Sequence, residues 1–131
     1  MKITSLDTNV VLRFLLNDIP EQAETAKSAI SRNSCYVTDV VVTEVIYVLE
    51  RVIEMERKDI TKLVTAFLNL PDMIYNTYFL DRAIELYDTK PALSFVDCYA
   101  ATEAKAYGNR LVSFDKKLVQ HGGNHVRQPY A

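Results

Sequence analysis

Glycine is scarce in this sequence of 131 residues, and its placement excludes two common kinds of nucleotide site. The three glycines, Gly108, Gly122 and Gly123, all lie in the last quarter of the chain. A Rossmann fingerprint or a P-loop needs glycines soon after the first strand, where they let the backbone approach a phosphate group. Neither motif is present.

Cysteine is also scarce. Cys35 and Cys98 stand far apart and form no C-x-x-C pair. Two thiols in this arrangement are typical of small buried hydrophobic side chains in a reducing compartment, and they do not form a disulfide or zinc framework.

Long apolar runs are missing as well. Asp7 and Arg13 interrupt the N-terminal run, and Glu44 and Glu50 interrupt the stretch 40–53. No run reaches the ~18 apolar residues that a membrane span requires, and no signal-peptide pattern is present. We therefore expect a soluble, cytoplasmic protein.

An excess of positive charge is lacking too. The net charge is −2. Residues 1–100 contain ten basic and fifteen acidic residues, a net −5, whereas residues 101–131 contain five and two, a net +3. A protein that coats nucleic acid through its backbone charge is usually strongly basic, so the excess of acid needs a local explanation.

What the sequence does contain is an alternation of short apolar runs with longer helical ones, which predicts a single α/β domain over residues 1–131. The predicted architecture is a three-layer α/β/α sandwich whose central parallel sheet has four to five short strands. Strands are predicted at 3–6, 35–37, 73–75, 111–113 and near Val126, and helices at 10–16, 20–32, 39–56, 59–70, 78–88, 94–107 and 116–119. Ligands bind such sheets beyond the carboxyl ends of the strands, so the residues there are the candidates for function.

Two acidic residues directly follow predicted strands. Asp7 follows the first strand and Asp115 follows the fourth, with Ser113 two residues before it. Either carboxylate could be an ordinary turn residue or helix N-cap. The Ser113 hydroxyl could hold a carboxylate or a bound water.

Two more acidic residues lie on predicted helices. Glu44 shares a helical row with Val40, Val48 and Val52, which predicts a carboxylate inside a buried apolar stripe. Such a group is either protonated, paired with a cation or bound to a metal. Asp97 stands three residues after Ser94 and can act in a capping-box variant, as a ligand, or as both.

The predicted fold brings these four acids to one edge of the sheet. Clustered carboxylates repel each other, so they share protons or bind divalent cations. A set of oxygen ligands without histidine or cysteine suits Mg²⁺ or Mn²⁺ better than zinc.

The motifs Asp7-Thr8-Asn9, Thr43-Glu44, Ser94-Phe-Val-Asp97 and Ser113-Phe-Asp115 resemble those of PIN-domain nucleases, in particular the small VapC-type toxins of toxin–antitoxin pairs. The resemblance covers nearly the whole chain. It implies an endoribonuclease that uses one or two Mg²⁺ or Mn²⁺ ions, with these four acids as the catalytic and metal-binding quartet.

The resemblance also implies supporting residues and partners. Asn9 matches a residue that helps to position the first Asp, and Ser113 matches the hydroxyl of the T/S-x-D motif, where most members have Thr. An RNA substrate, a homodimer and a small antitoxin that covers the acidic groove are implied in the same way. Because an acidic site repels RNA, we expect basic residues at its rim. The candidates are Arg13, Lys116, Lys117 and Arg127.

Other hypotheses stay open on the sequence alone. A phosphatase of the haloacid-dehalogenase type would need D-x-D, where this chain has Asn9. A phospho-receiver domain would need an acid after the third strand, where this chain has Asn76-Thr77. A non-catalytic PIN-like binding module and a housekeeping RNA-processing nuclease without antitoxin are the remaining alternatives.

Overall fold

A computed structural model describes residues 2–130 of the chain. The chain divides into two compact units. The first, the N-terminal unit, ends at Asn76, and the second, the C-terminal unit, begins at Thr77.

The N-terminal unit is built on a parallel sheet with the strand order β1-β2-β3. The strands are β1 (Ile3–Ser5), β2 (Ser34–Tyr36) and β3 (Met73–Ile74), and the helices are α1 (Thr8–Leu16), α2 (Pro20–Arg32), α3 (Asp39–Arg51) and α4 (Arg57–Leu68). Ser5 is paired with Tyr36, and Tyr36 with Ile74. The three strands therefore end side by side, and the segments that follow them start from one edge of this sheet.

The C-terminal unit contains a helical hairpin and a two-stranded parallel sheet. Its elements are α5 (Thr77–Thr89), α6 (Phe95–Ala106), β4 (Leu111–Val112), α7 (Lys116–His121) and β5 (Val126–Arg127). Helices α5 and α6 pack together, with the ring centroids of Tyr87 and Phe95 5.7 Å apart. Leu111 pairs with Val126 and Val112 with Arg127.

The predicted fold class is confirmed, and so are the five short strands and their parallel pairing. The strands are hydrogen-bonded in two sets, of three and of two, over residues 2–130. Cys35 and Cys98 are buried thiols, as expected, and burial raises the pKa of the Cys35 thiol. Within residues 2–130, no helix has both the length and the apolar character to span a membrane.

The start of α2 differs from the sequence expectation. The segment Asp18-Ile-Pro-Glu21 predicts an N-cap residue before Pro20, with Asp18 as its natural cap. In the structure the N-cap is Ile19, without a side-chain cap bond. Both oxygens of Asp18 instead accept hydrogen bonds from Nη1 of Arg13 at 3.1 Å, because an ion pair to α1 competes with capping.

The buried face of α3 is not the one that the sequence predicts. Val42, Val45 and Leu49 are buried, whereas Val40 is 75% exposed and Glu44 is also exposed. The prediction of a buried stripe around Glu44 is therefore wrong. Both faces of this helix carry valines, so the apolar period alone could not select the one that packs.

This assignment predicts unequal effects for two identical substitutions in α3. Val45→Ala removes buried methyl groups and leaves a cavity, so we expect a loss of about 2 kcal/mol in the free energy of unfolding. Val40→Ala on the exposed face should change it by less than about 0.5 kcal/mol. Urea denaturation of both variants measures the difference. Equal losses would contradict the assignment of the two faces.

Candidate active site

Asp7 lies where β1 gives way to α1. The preceding Leu6 is buried, and its N–H donates to the Tyr36 carbonyl at 2.9 Å, which fixes the strand end. Asp7 is the N-cap of α1, and its Oδ1 accepts the Val10 N–H at 3.0 Å. Of the structural roles considered for Asp7, the structure shows the helix N-cap. One carboxylate oxygen holds the helix start, while Oδ2 makes no hydrogen bond within residues 2–130.

Asn9 lies in the first turn of α1 with its side chain exposed. The resemblance assigns it to positioning Asp7, yet no hydrogen bond joins the two side chains among the residues described. Asp7 is held here by its own capping bond. A role for Asn9 toward Asp7 stays a prediction.

Glu44 lies on the exposed face of α3, one and a half turns after its start. Thr38 begins this helix by accepting the Val41 N–H at 3.1 Å, and α3 packs against α1 and α4. The Glu44 carboxylate makes no hydrogen bond or ion pair within residues 2–130. Because it is exposed, the desolvation argument for a metal partner does not apply. Its oxygens are available to a ligand from solvent.

Asp97 occupies the first turn of α6. Ser94 is the N-cap, and its Oγ accepts the Asp97 N–H at 3.2 Å, as predicted. The reciprocal bond of a capping box, from the Ser94 N–H to the Asp97 carboxylate, is not formed. The half-buried carboxylate makes no other hydrogen bond or ion pair in the part of the chain described. Capping thus uses the backbone of Asp97 and leaves its carboxylate unused.

Asp115 begins α7 as the N-cap. Its Oδ1 accepts the N–H groups of Lys117 at 2.9 Å and Leu118 at 3.2 Å. Ser113 accepts the Asp115 N–H through its Oγ at 3.0 Å. The Ser113 hydroxyl therefore holds the backbone of Asp115 rather than a carboxylate. As at Asp7, one oxygen of Asp115 caps a helix and Oδ2 forms no hydrogen bond within residues 2–130.

Three of the four acids share a position at a helix N-terminus. Asp7, Asp97 and Asp115 stand where the first N–H groups of a helix are directed toward acceptors. Asp7 and Glu44 belong to the N-terminal unit, and Asp97 and Asp115 to the C-terminal unit. Taken separately over residues 2–76 and 77–130, neither unit contains three acidic, histidine or cysteine side chains grouped to hold a metal ion.

The candidate rim residues differ in how far their charges are already used. Arg13 is half-buried, forms an ion pair with Asp18 at 3.1 Å and donates to Gln22 at 3.0 Å, an arrangement that favours a structural role. Lys116 and Lys117 are exposed in α7 directly after Asp115, and they form no ion pair within residues 2–130. Arg127 is exposed in β5 and lines a groove of the C-terminal unit.

One polar contact at the strand ends of the N-terminal unit was not foreseen from the sequence. Asp39, the first residue of α3, accepts a hydrogen bond on Oδ2 from the Asn76 side chain at 3.0 Å. This bond joins the start of α3 to the segment after β3. The signal in the sequence is the position of Asp39 and Asn76, each just beyond a strand.

Comparison with known proteins agrees with these motifs. The family model described as PIN domain matches residues 5–124. A VapC ribonuclease from Aquifex aeolicus (strain VF5) is 33% identical over an alignment of 134 positions, which covers 95% of this chain and 96% of that protein. Both matches favour the PIN hypothesis over the phosphatase and receiver alternatives. The chain therefore belongs to the PIN domain family, and within it to the VapC type.

Proposed function

We propose that this protein is a Mg²⁺- or Mn²⁺-dependent endoribonuclease that hydrolyses phosphodiester bonds in RNA, and that it is the toxin of a toxin–antitoxin pair. The observation that carries the proposal is the state of the acidic residues. Each is fixed at or near the start of a helix, yet each keeps at least one carboxylate oxygen unpaired within residues 2–130. The similarity to a VapC ribonuclease supports RNA as the substrate.

The catalytic set of the proposal consists of Asp7, Glu44, Asp97 and Asp115. It draws two residues from each unit, so the proposal treats residues 1–131 as one PIN-like domain. The PIN match supports this because it runs through both units without interruption.

The donor atoms fit a hard divalent cation. Oδ2 of Asp7, Oδ2 of Asp115 and both oxygens of Asp97 are carboxylate oxygens that capping does not use. Mg²⁺ and Mn²⁺ prefer such ligands, whereas zinc prefers histidine and cysteine. These three residues would hold one or two ions, and Glu44 would contribute directly or through a water. A bound divalent ion supplies Lewis acidity toward a phosphate oxygen and lowers the pKa of a water.

The other contribution of these residues would be to hold the metal ligands, the attacking water and the RNA in place. Asp7 and Asp115 each use one carboxylate oxygen to cap a helix, which already orders the side chain. Binding a ligand through the second oxygen would therefore cost little further side-chain entropy. Ser113 supports Asp115 through the backbone. Glu44, exposed and unpaired within residues 2–130, is suited to orient the attacking water. Lys116 and Lys117 would contact the phosphate groups of the RNA around this site.

Partners and location follow from the same proposal. A VapC-type toxin implies a homodimer, a small antitoxin over the acidic groove and a cytoplasmic location. The exposed face of α3 supports contacts with protein, because Val40 and Tyr47 are 75% and 60% exposed on either side of Glu44. Apolar side chains of this size are typical anchors of protein interfaces.

The proposal predicts that antitoxin-free protein cleaves RNA only with a divalent ion. Labelled total tRNA and ribosomal RNA are incubated with the protein and Mg²⁺ or Mn²⁺, and then with EDTA. We expect discrete fragments with either ion and intact RNA with EDTA, since four carboxylates alone repel the phosphate backbone. Cleavage that survives EDTA would contradict the proposal. Intact RNA in every lane would favour a non-catalytic binding module.

A further inference from the structure

The C-terminal unit contains a basic groove that none of the four acids lines. It has a volume of about 1030 Å³ and lies between α5, α6 and the segment 119–128. Four of the seven Lys and Arg residues of this unit line the groove, and none of its six Asp and Glu residues does. The four are Arg82, Lys90, Lys105 and Arg127. In a chain with net charge −2, this segregation marks a site for an anion.

Three of the four cations of the groove are available to bind a ligand, and the fourth, Arg82, is held in place by Tyr78. Lys90, Lys105 and Arg127 form no ion pair within residues 2–130. Arg82 is held on α5, since its guanidinium carbon lies 3.9 Å from the ring centroid of Tyr78 and Nη1 donates to the Tyr78 carbonyl at 3.0 Å. Lys90 directly follows the last residue of α5, eight residues after Arg82, and both residues line the groove. Four cations along one groove suit a repeating anion better than a single one.

The segment 119–128, which forms the wall of the groove opposite α5, is fixed by a hydrogen bond to α6 and by two glycines. The His125 Nε2 lies 2.7 Å from the carbonyl oxygen of Ala101 in α6, and it donates because a carbonyl can only accept. The chain turns into this wall at Gly122 and Gly123. A Cβ on Gly122 would lie 2.7 Å from the Leu118 carbonyl, and Gly123 has a φ of +121°, so both positions require glycine.

The remaining lining has the chemistry of nucleic-acid binding. Gln120, Asn124 and Gln128 bring amide groups into the groove, which can bond to 2′-hydroxyls and base edges. A protein ligand would be expected to meet exposed apolar anchors. Of the six large hydrophobic side chains that are exposed in residues 77–130, only Tyr78 lines the groove.

We propose that this groove binds the phosphate backbone of single-stranded RNA through residues other than the four acids. The inference rests on RNA being the substrate of the protein. It concerns binding alone and needs no metal, so its outcome can be separated from that of the nuclease proposal.

The test is fluorescence anisotropy of a fluorescein-labelled single-stranded RNA in EDTA, with affinity measured over a range of salt concentrations. The triple variant Lys90→Ala, Lys105→Ala, Arg127→Ala is compared with Lys27→Ala, Arg32→Ala, Lys62→Ala, which removes the same charge from exposed positions of the N-terminal unit. Three lost phosphate contacts should reduce the slope of log affinity against log salt by about 2 and weaken binding at least ~10-fold. The control variant should keep the wild-type slope.

Thermal unfolding checks that both triple variants are folded. If the groove variant does not fold, the single variants Lys90→Gln and Lys105→Gln replace it, and each should reduce the slope by about 0.7. Equal loss in the groove and control variants would overturn the proposal, as would wild-type protein that does not bind RNA. Displacement of the RNA by poly-glutamate as readily as by unlabelled RNA would also overturn it, in favour of an acidic polypeptide. If wild-type protein binds RNA through the groove but does not cleave it with a divalent ion, only the nuclease proposal is contradicted.

Discussion

Asp97→Asn should abolish most RNA cleavage while leaving the fold intact. In the proposal Asp97 would be a metal ligand, because capping uses only its backbone N–H and leaves its carboxylate unused. Loss of a ligand charge removes several kcal/mol of transition-state stabilisation, and about 3 kcal/mol corresponds to ~100-fold in rate. We therefore expect kcat/KM to fall at least ~100-fold in Mg²⁺ or Mn²⁺.

The matched control is Glu103→Gln on the same helix. Glu103 is exposed near the end of α6 and has no part in the proposed site. Its activity should stay within about twofold of wild type, since one surface charge has little effect on a screened site. The melting temperature of Asp97→Asn should change little, because the lost interaction with the helix dipole is worth less than about 1 kcal/mol. Equal activity of the two variants would remove Asp97 from the catalytic set.

Mn²⁺ should stabilise the wild-type protein against heat by a large margin. An ion that binds only the folded state at 100 times its Kd contributes about 2.7 kcal/mol. For a chain of this length that corresponds to a rise of about 10 °C in melting temperature. The rise in melting temperature should also be larger than the rise that a singly charged ion causes at the same ionic strength. A singly charged ion acts only by screening, which affects all surface carboxylates alike.

Differential scanning fluorimetry with increasing Mn²⁺ measures this effect, with Na⁺ at matched ionic strength as the reference. Asp97→Asn should lose most of the Mn²⁺ shift, whereas Glu103→Gln should keep it. An identical shift in these two variants would mean that Mn²⁺ binds elsewhere on the protein.

Most helix caps follow from the sequence because capping is local, but the cap of α2 does not, since Asp18 pairs with Arg13 instead. Asp7, Thr38, Ser94 and Asp115 each begin a helix with a side-chain bond to the backbone, as the residue types and spacing indicate. The five strands were also found, each within about one residue of its true position. Asp7 and Asp115 each follow a strand, as the order of the elements predicts. The meeting of the four acids at one edge stays a prediction.

Features that depend on tertiary contacts were harder to predict. The end of α3 was predicted near residue 56, but the helix ends at Arg51. It stops without glycine: Glu54 takes a left-handed φ of 60°, and the Met55 N–H donates to the Leu49 carbonyl at 2.9 Å. The buried face of α3 was missed for a similar reason. Valines occur on both faces of α3, and only packing against α1 and α4 selects the face that is buried.

The most direct test of the central claim is the Mn²⁺ melting shift in Asp7→Asn and Asp115→Asn, one variant from each unit. Asn caps a helix about as well as Asp, so both variants should fold while losing one ligand charge. If acids of both units bind a common ion, each substitution should remove most of the ~10 °C shift. A full shift in either variant would contradict the claim, because the ion would then be held without that carboxylate.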